Sequence, residues 1–223
     1  MECALGHAPP LAQGRGSGRA FRSYSSLVPR CGVPASIAHA DVHDPMIQRF
    51  TSDPSHIDEL TQTMQLSAED PEHWTKEYTD PTSQEKWLLI LVETDYHGGR
   101  HPILIKLPEP SQAELISIAL HSSSKDEIAT AAALLNYNER DLGFGFREEL
   151  IKLLEERTIQ PGFRWTEMER WRIPTIIQEC DLSDGVNRHP IMGKLDSEID
   201  ADYQYFQDIA TRARTLINSA TKG

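Results

Sequence analysis

Apolar residues recur three and four positions apart through the second half of this chain, and the polar residues between them carry helix-start signals. Leu115, Ile116, Ala119 and Leu120 form one such stripe, Ile128, Ala131, Ala132 and Leu135 a second, and Leu150, Ile151, Leu153 and Leu154 a third. This spacing lines one face of an α-helix, so helices are predicted over Ser111–Leu120, Ser124–Tyr137 and Phe146–Arg157. Ser111-Gln112-Ala113-Glu114 and Ser124-Lys125-Asp126-Glu127 open the first two. In such a box the serine hydroxyl accepts an orphan N–H, and the glutamate reaches back to the serine's own N–H. Helices this short are marginal alone and must pack on neighbours. The longest stripe comes last: Ile199, Tyr203, Phe206, Ile209, Ala210, Ala213, Leu216 and Ile217, capped by Asp196 or Ser197. Glu198, Asp200 and Asp202 crowd its start and Arg212 and Arg214 sit near its end, which suits the helix dipole.

The stretch before Ser111 is harder to read. Asp53-Pro54 offers a cap and a proline at the first helical position, leading through Ile57, Leu60 and Met64 to a helix end near Leu66. Asp80-Pro81 repeats the device ahead of Trp87-Leu88-Leu89-Ile90-Leu91-Val92. An unbroken apolar run has no period, so helix and strand compete. The Asp-Pro start, the length to Tyr96 and the stop at Gly98-Gly99 favour a buried helix. The rival is a β-hairpin within 87–107, Trp87–Thr94 against Ile103–Leu107. Further on, Asn136 to Gly145 and Asp181 to Gly193 read as polar turns, and Pro174 restarts a short helix after the Trp165 and Trp171 segment. The expected fold is all-α, an irregular stack of short antiparallel helical hairpins, with 87–107 as the one place for a hairpin of strands.

Composition changes this picture at the N-terminus. Residues 1–45 are rich in Gly, Pro, Ser and Ala and carry Arg15, Arg19, Arg22 and Arg30 against Glu2, Asp41 and Asp44. They show no period and too little apolar surface to offset chain entropy, so they are expected to be a disordered extension. Residues 11–31, with arginines, serines and no acid, also have the make-up of an organellar transit peptide, and Met46 reads as an alternative start. No apolar stretch of the length a secretory signal needs is present. Residues 46–223 are then a single, mostly helical domain.

The net charge of −12 argues against nucleic acid, whose phosphates demand clustered Lys and Arg. No apolar run approaches the roughly 20 residues needed to span a bilayer. Cys3, Cys31 and Cys180 are odd in number and scattered, so no disulfide framework or CxxC metal pair can be built, which suits a reducing cytoplasm. No cofactor motif is present.

Three clusters carry candidate chemistry. Asp95, His97 and His101 could hold a divalent metal, but Gly98 and Gly99 break any helix that would align both rings, and a polar turn explains them equally well. Arg164-Trp165 and Arg170-Trp171-Arg172 interleave cations with aromatics; in so acidic a chain they read as packed tryptophans under snorkelling arginines. Asp181, Asp184, Asp196, Glu198, Asp200 and Asp202 flank one loop and one helix start, opposed there only by Arg188 and Lys194. Such a face can steer and pair with a basic protein partner.

The three central helices, each a short amphipathic or alanine-rich segment, resemble HEAT-type helical-repeat proteins over about a fifth of the chain. In its acidic, helical make-up the chain is also similar in style to small bacterial toxin-immunity proteins. The resemblance implies a non-enzymatic protein-binding domain, in its sharper form an immunity protein or an adaptor. The alternatives are a small metal-dependent enzyme built on Asp95, His97 and His101, and a structural or oligomerising module using the Trp-rich segment.

Overall fold

The computed structural model describes residues 49–93, 100–143 and 145–222. The expected extension over 1–45, Met46, Asp95, His97 and the Gly98-Gly99 turn lie outside the described residues. Within them, strands β1 (Phe50–Thr51), β2 (Gln65–Asp70), β3 (Thr75–Thr79), β4 (Lys86–Glu93) and β5 (Arg100–Lys106) form one antiparallel sheet in the order β1-β5-β4-β3-β2. Helix α1 (Pro54–Thr63) leads from β1 to β2. Helices α2 (Gln112–His121), α3 (Lys125–Leu142), α4 (Arg147–Ile159), α5 (Glu167–Glu179) and α6 (Asp196–Lys222) follow the sheet. The all-α expectation is thereby corrected: the fold is mixed, a five-stranded sheet against helices.

The correction has a local cause. Strands β4 and β5 pair as the rival hairpin, with Leu88 opposite Ile105 and Ile90 opposite Ile103. Ile90, Val92, Ile103 and Ile105 face the large core built with the helices, while Trp87 and Leu104 face a smaller one with Ile57 of α1. Both faces are covered, so both faces are apolar, and the alternation that marks a half-buried strand is erased. The continuous run Trp87–Val92 follows from that double burial.

The two Asp-Pro pairs part company in the same way. Asp53 accepts the Ser55 N–H and caps α1, with Pro54 in its first turn. Asp80 instead closes a tight turn between β3 and β4, accepting the Thr82 N–H at 2.7 Å and the Ser83 hydroxyl at 2.9 Å. The helix α1 ends at Thr63, and Leu66 belongs to the exposed edge strand β2.

Helical expectations hold more closely. The Ser111 box is complete: Glu114 N–H donates to the Ser111 hydroxyl, and Ser111 N–H donates to the Glu114 carboxylate at 2.8 Å. The Ser111 N–H, the Ser111 hydroxyl and Arg49 all donate to the Glu114 carboxylate and hold its carboxyl down at about 2. At Ser124 the box is relayed. Glu127 accepts the Ser122 hydroxyl at 2.6 Å, and that hydroxyl accepts the Ser124 N–H at 3.0 Å. Helix α3 runs past the turn expected from Asn136, because Asn136 and Glu139 find partners: Asn136 Nδ2 donates to the Glu179 carbonyl and Glu139 accepts from Arg147. It stops at Gly143, whose φ of 72° is cheap only for glycine. Pro174 lies inside α5 rather than starting a helix.

Packing is not in chain order. Helix α3 meets α2 and α5, and α6 meets α5 and α4. Two buried arginines stitch this arrangement. Arg172 donates to the Ala119 and Ser122 carbonyls, closing the C-terminal end of α2. Arg147 is 0% exposed and sits between Phe146 and Phe206, its Nε donating to Glu139 at 2.7 Å and Nη1 to the Asp181 carbonyl at 3.0 Å. Among the described residues no helix is long and apolar enough to cross a membrane.

Candidate functional site

The segment Asp181–Leu195, with the first turns of α6, collects more unusual features than any other surface of the described residues. Helix α5 ends at Cys180, and Asp181 takes a left-handed φ of 49° that turns the chain outward. A non-glycine residue held there needs support from its surroundings. Asp181 has it three ways. Its carbonyl accepts from buried Arg147, and its carboxylate accepts from Asn136 at 3.2 Å and Arg188 at 3.1 Å. Leu182, fully buried, follows as an apolar anchor.

Two further clamps hold the outer part of the segment to α6. Gln207 donates to the Gly185 carbonyl at 3.1 Å, so close that a Cβ at position 185 would sit 2.5 Å from its Nε2. Asp202 accepts from both His189 Nδ1, at 2.8 Å, and Lys194. Lys194 and then His189 hold the Asp202 carboxyl below the usual range. The His189 ring also stacks on Tyr205, at 6.0 Å between centroids, and meets Phe206 edge-on at 5.0 Å.

Between these clamps the chain turns apolar side chains to solvent: Val186 is 62% exposed, Ile191 63%, Met192 93% and Leu195 70%. With Tyr203 on α6, they make up five of the eight large hydrophobic residues that are exposed among the described residues. Scattered exposed apolar residues are ordinary; a concentration on one clamped loop is not. Burial of each such side chain returns about 1.5–3 kcal/mol, and a loop already held in place loses little further entropy on binding.

The six acids singled out from the sequence divide here into two sets. Asp181 and Asp184 share Arg188, and Asp202 holds Lys194 and His189, so these three carboxylates act within the loop. Asp196, Glu198 and Asp200 are exposed on the first turns of α6, beside Leu195. Glu198 also accepts the Leu195 N–H at 2.7 Å, tying loop to helix. The outward acidity therefore comes from three residues rather than six.

Sequence reasoning passed over Val186, Ile191, Met192 and Leu195 because they follow no period and lie among Gly185, Pro190 and Gly193. Their only signal was an apolar cluster inside a segment otherwise polar enough to be a loop. His189 was also passed over; its partner Asp202 is thirteen residues away, on another element.

The other clusters fare differently. Of the metal candidates, Asp95 and His97 lie outside the described residues, while His101 is exposed at the start of β5. No group of three metal-ligating side chains occurs among the described residues. Cys180 is fully buried, with its thiol donating to the Ala132 carbonyl, and burial pushes that thiol well up, away from the reactive thiolate. Trp165 and Trp171 pack half-buried against the core. Arg172, expected to snorkel, is instead buried, since the α2 carbonyls it serves are themselves inside.

No family model, curated protein or solved structure matches this chain.

Proposed function

We propose that this is a non-enzymatic protein-binding domain whose contact surface is the clamped segment 181–195 with the first turns of α6, and whose partner is a basic protein. The observation that supports this most is the concentration of exposed Val186, Ile191, Met192, Leu195 and Tyr203 in one braced segment and the start of the helix after it, where Asp196, Glu198 and Asp200 are exposed too. Apolar side chains supply the contact area, and exposed carboxylates supply steering and the choice of a cationic partner. A cytoplasmic immunity protein or an adaptor is the sharper form of this reading.

The test is co-purification of the tagged full chain from its own cells at low and high salt, beside D196K/D200K. These positions are exposed, whereas reversal at Asp202 would unclamp His189 and Lys194 and confuse binding with loop structure. A defined basic partner, lost at high salt and with D196K/D200K, supports the reading. A partner held equally by both proteins at both salt concentrations removes the acidic face from the argument.

A further inference from the structure

We infer that the partner surface taken by this site is a cationic amphipathic segment, with apolar residues seated against Ile191, Met192 and Leu195 and with Lys or Arg flanking them to meet Asp196 and Asp200. This rests on the binding reading above and narrows it from a basic protein to a kind of basic segment. Charge alone would not call for amphipathicity. The apolar side chains do, because Met192 and Leu195 stand in water within a few residues of the exposed acids, and a partner that answers only the acids leaves them uncovered.

Other occupants fit less well. A second copy meeting this surface across a twofold would set Asp196 and Asp200 against the same acids. An anionic lipid surface would take the apolar side chains, but insertion of Met192 brings Asp196 and Asp200 to the negative headgroups. Nucleic acid would meet a chain of net charge −12. A segment with cations flanking an apolar stripe satisfies both halves of the surface at once.

The experiment uses the full chain and three synthetic peptides of equal length and charge, read by calorimetry at low and high salt. The first carries Leu at helical spacing among Lys, the second the same residues scrambled, the third Ser in place of every Leu. The expected result is that the amphipathic peptide binds at least about tenfold tighter than the other two. M192S/L195S should erase that preference, and D196N/D200N should weaken all three peptides and flatten the salt dependence. These residues are exposed, so a thermal melt should find both variants folded as the parent. Equal binding of the three peptides would overturn the inference while leaving a charge-reading face in place. An amphipathic preference that survives M192S/L195S would also overturn it. Failure of every peptide to bind at low salt would sink the inference and the acidic-face reading together. Binding to phosphatidylserine vesicles without binding to any peptide would replace the protein partner with a lipid surface.

Discussion

Two exposed parts of this molecule present apolar side chains to water and are held by opposite means. The β2–β3 hairpin, carrying Leu66 and Trp74, is kept by a backbone ladder running from Gln65 opposite Thr79 to Asp70 opposite Thr75. The Asp181–Leu195 segment has no strand or helix of its own and is kept by side chains: Arg147, Arg188, Gln207, His189 and Lys194. Backbone pairing uses main-chain groups that any substitution except proline leaves in place. Side-chain clamps are lost with the residue that makes them. The first segment should therefore tolerate substitution, and the second should be dismantled one clamp at a time.

The largest break should come from beneath the loop. Arg147→Met removes one partner of a buried pair and leaves Glu139 without its cation, at a cost of about 3–5 kcal/mol by denaturant unfolding. It also removes the donor to the Asp181 carbonyl, so amide exchange should accelerate over 181–195 and not over 65–79. The double variant E139Q/R147M should recover part of the global loss, because no buried charge is then left alone. Equal loosening of both segments would show that Arg147 supports the whole fold without favouring the loop.

A smaller break is expected at Gly185. The added methyl of Gly185→Ala displaces the Gln207 amide and its bond to the Gly185 carbonyl, for about 1 kcal/mol. Gln207→Ala in the same background should add little if displacement of that side chain is the whole effect.

Protonation tests the outermost clamp. Asp202 has its carboxyl lowered by Lys194 and His189, so its contribution is in place above the ordinary aspartate value near 4 and disappears as pH falls through the lowered one. Asp202→Asn should imitate this at neutral pH, with faster amide exchange over 186–195 and little change in Tm. Asp70 in the hairpin tip is lowered likewise by His73, whose own value is raised. That pair is present between the two ionisations and fades as pH rises through the His73 value, yet loss of it should free only residues 71–74. Proton-dependent exchange spreading through the β2–β3 ladder would erase the contrast between the two segments.

The smallest effect is expected at Trp74, which holds a left-handed φ of 56° at the hairpin tip. In Trp74→Gly, relief of that conformation is set against the extra freedom glycine has when unfolded and the loss of the tryptophan's own side-chain interaction, so the net change in stability should be smaller than at Gly185.

Much of the helical layer was legible before any coordinates. The stripes of α2, α3 and α4, the Ser111 box and the α6 stripe from Phe206 to Leu216 all appear where the spacing put them. Each depends on residues within a turn or two of one another. The sheet was legible only as the rival hairpin over 87–107, because Trp87–Val92 is apolar on both sides, with α1 over one face and the helices over the other. The candidate site was half legible. Its acids stood out as charges, but which of them act inward was set by Arg188, His189 and Lys194, and the apolar residues beside them had no pattern to announce them.

What the sequence determined by itself is therefore whatever is encoded at short range: helix faces, the caps at Asp53 and Ser111, and the excess of negative charge. The tertiary structure alone decided that Trp87–Val92 is a strand, that Arg147 and Arg172 lie inside, and that Met192 and Leu195 face water beside Asp196 and Asp200. The physical reason is that a turn of helix answers to its own neighbours, whereas burial and charge pairing answer to whichever distant element folds against them.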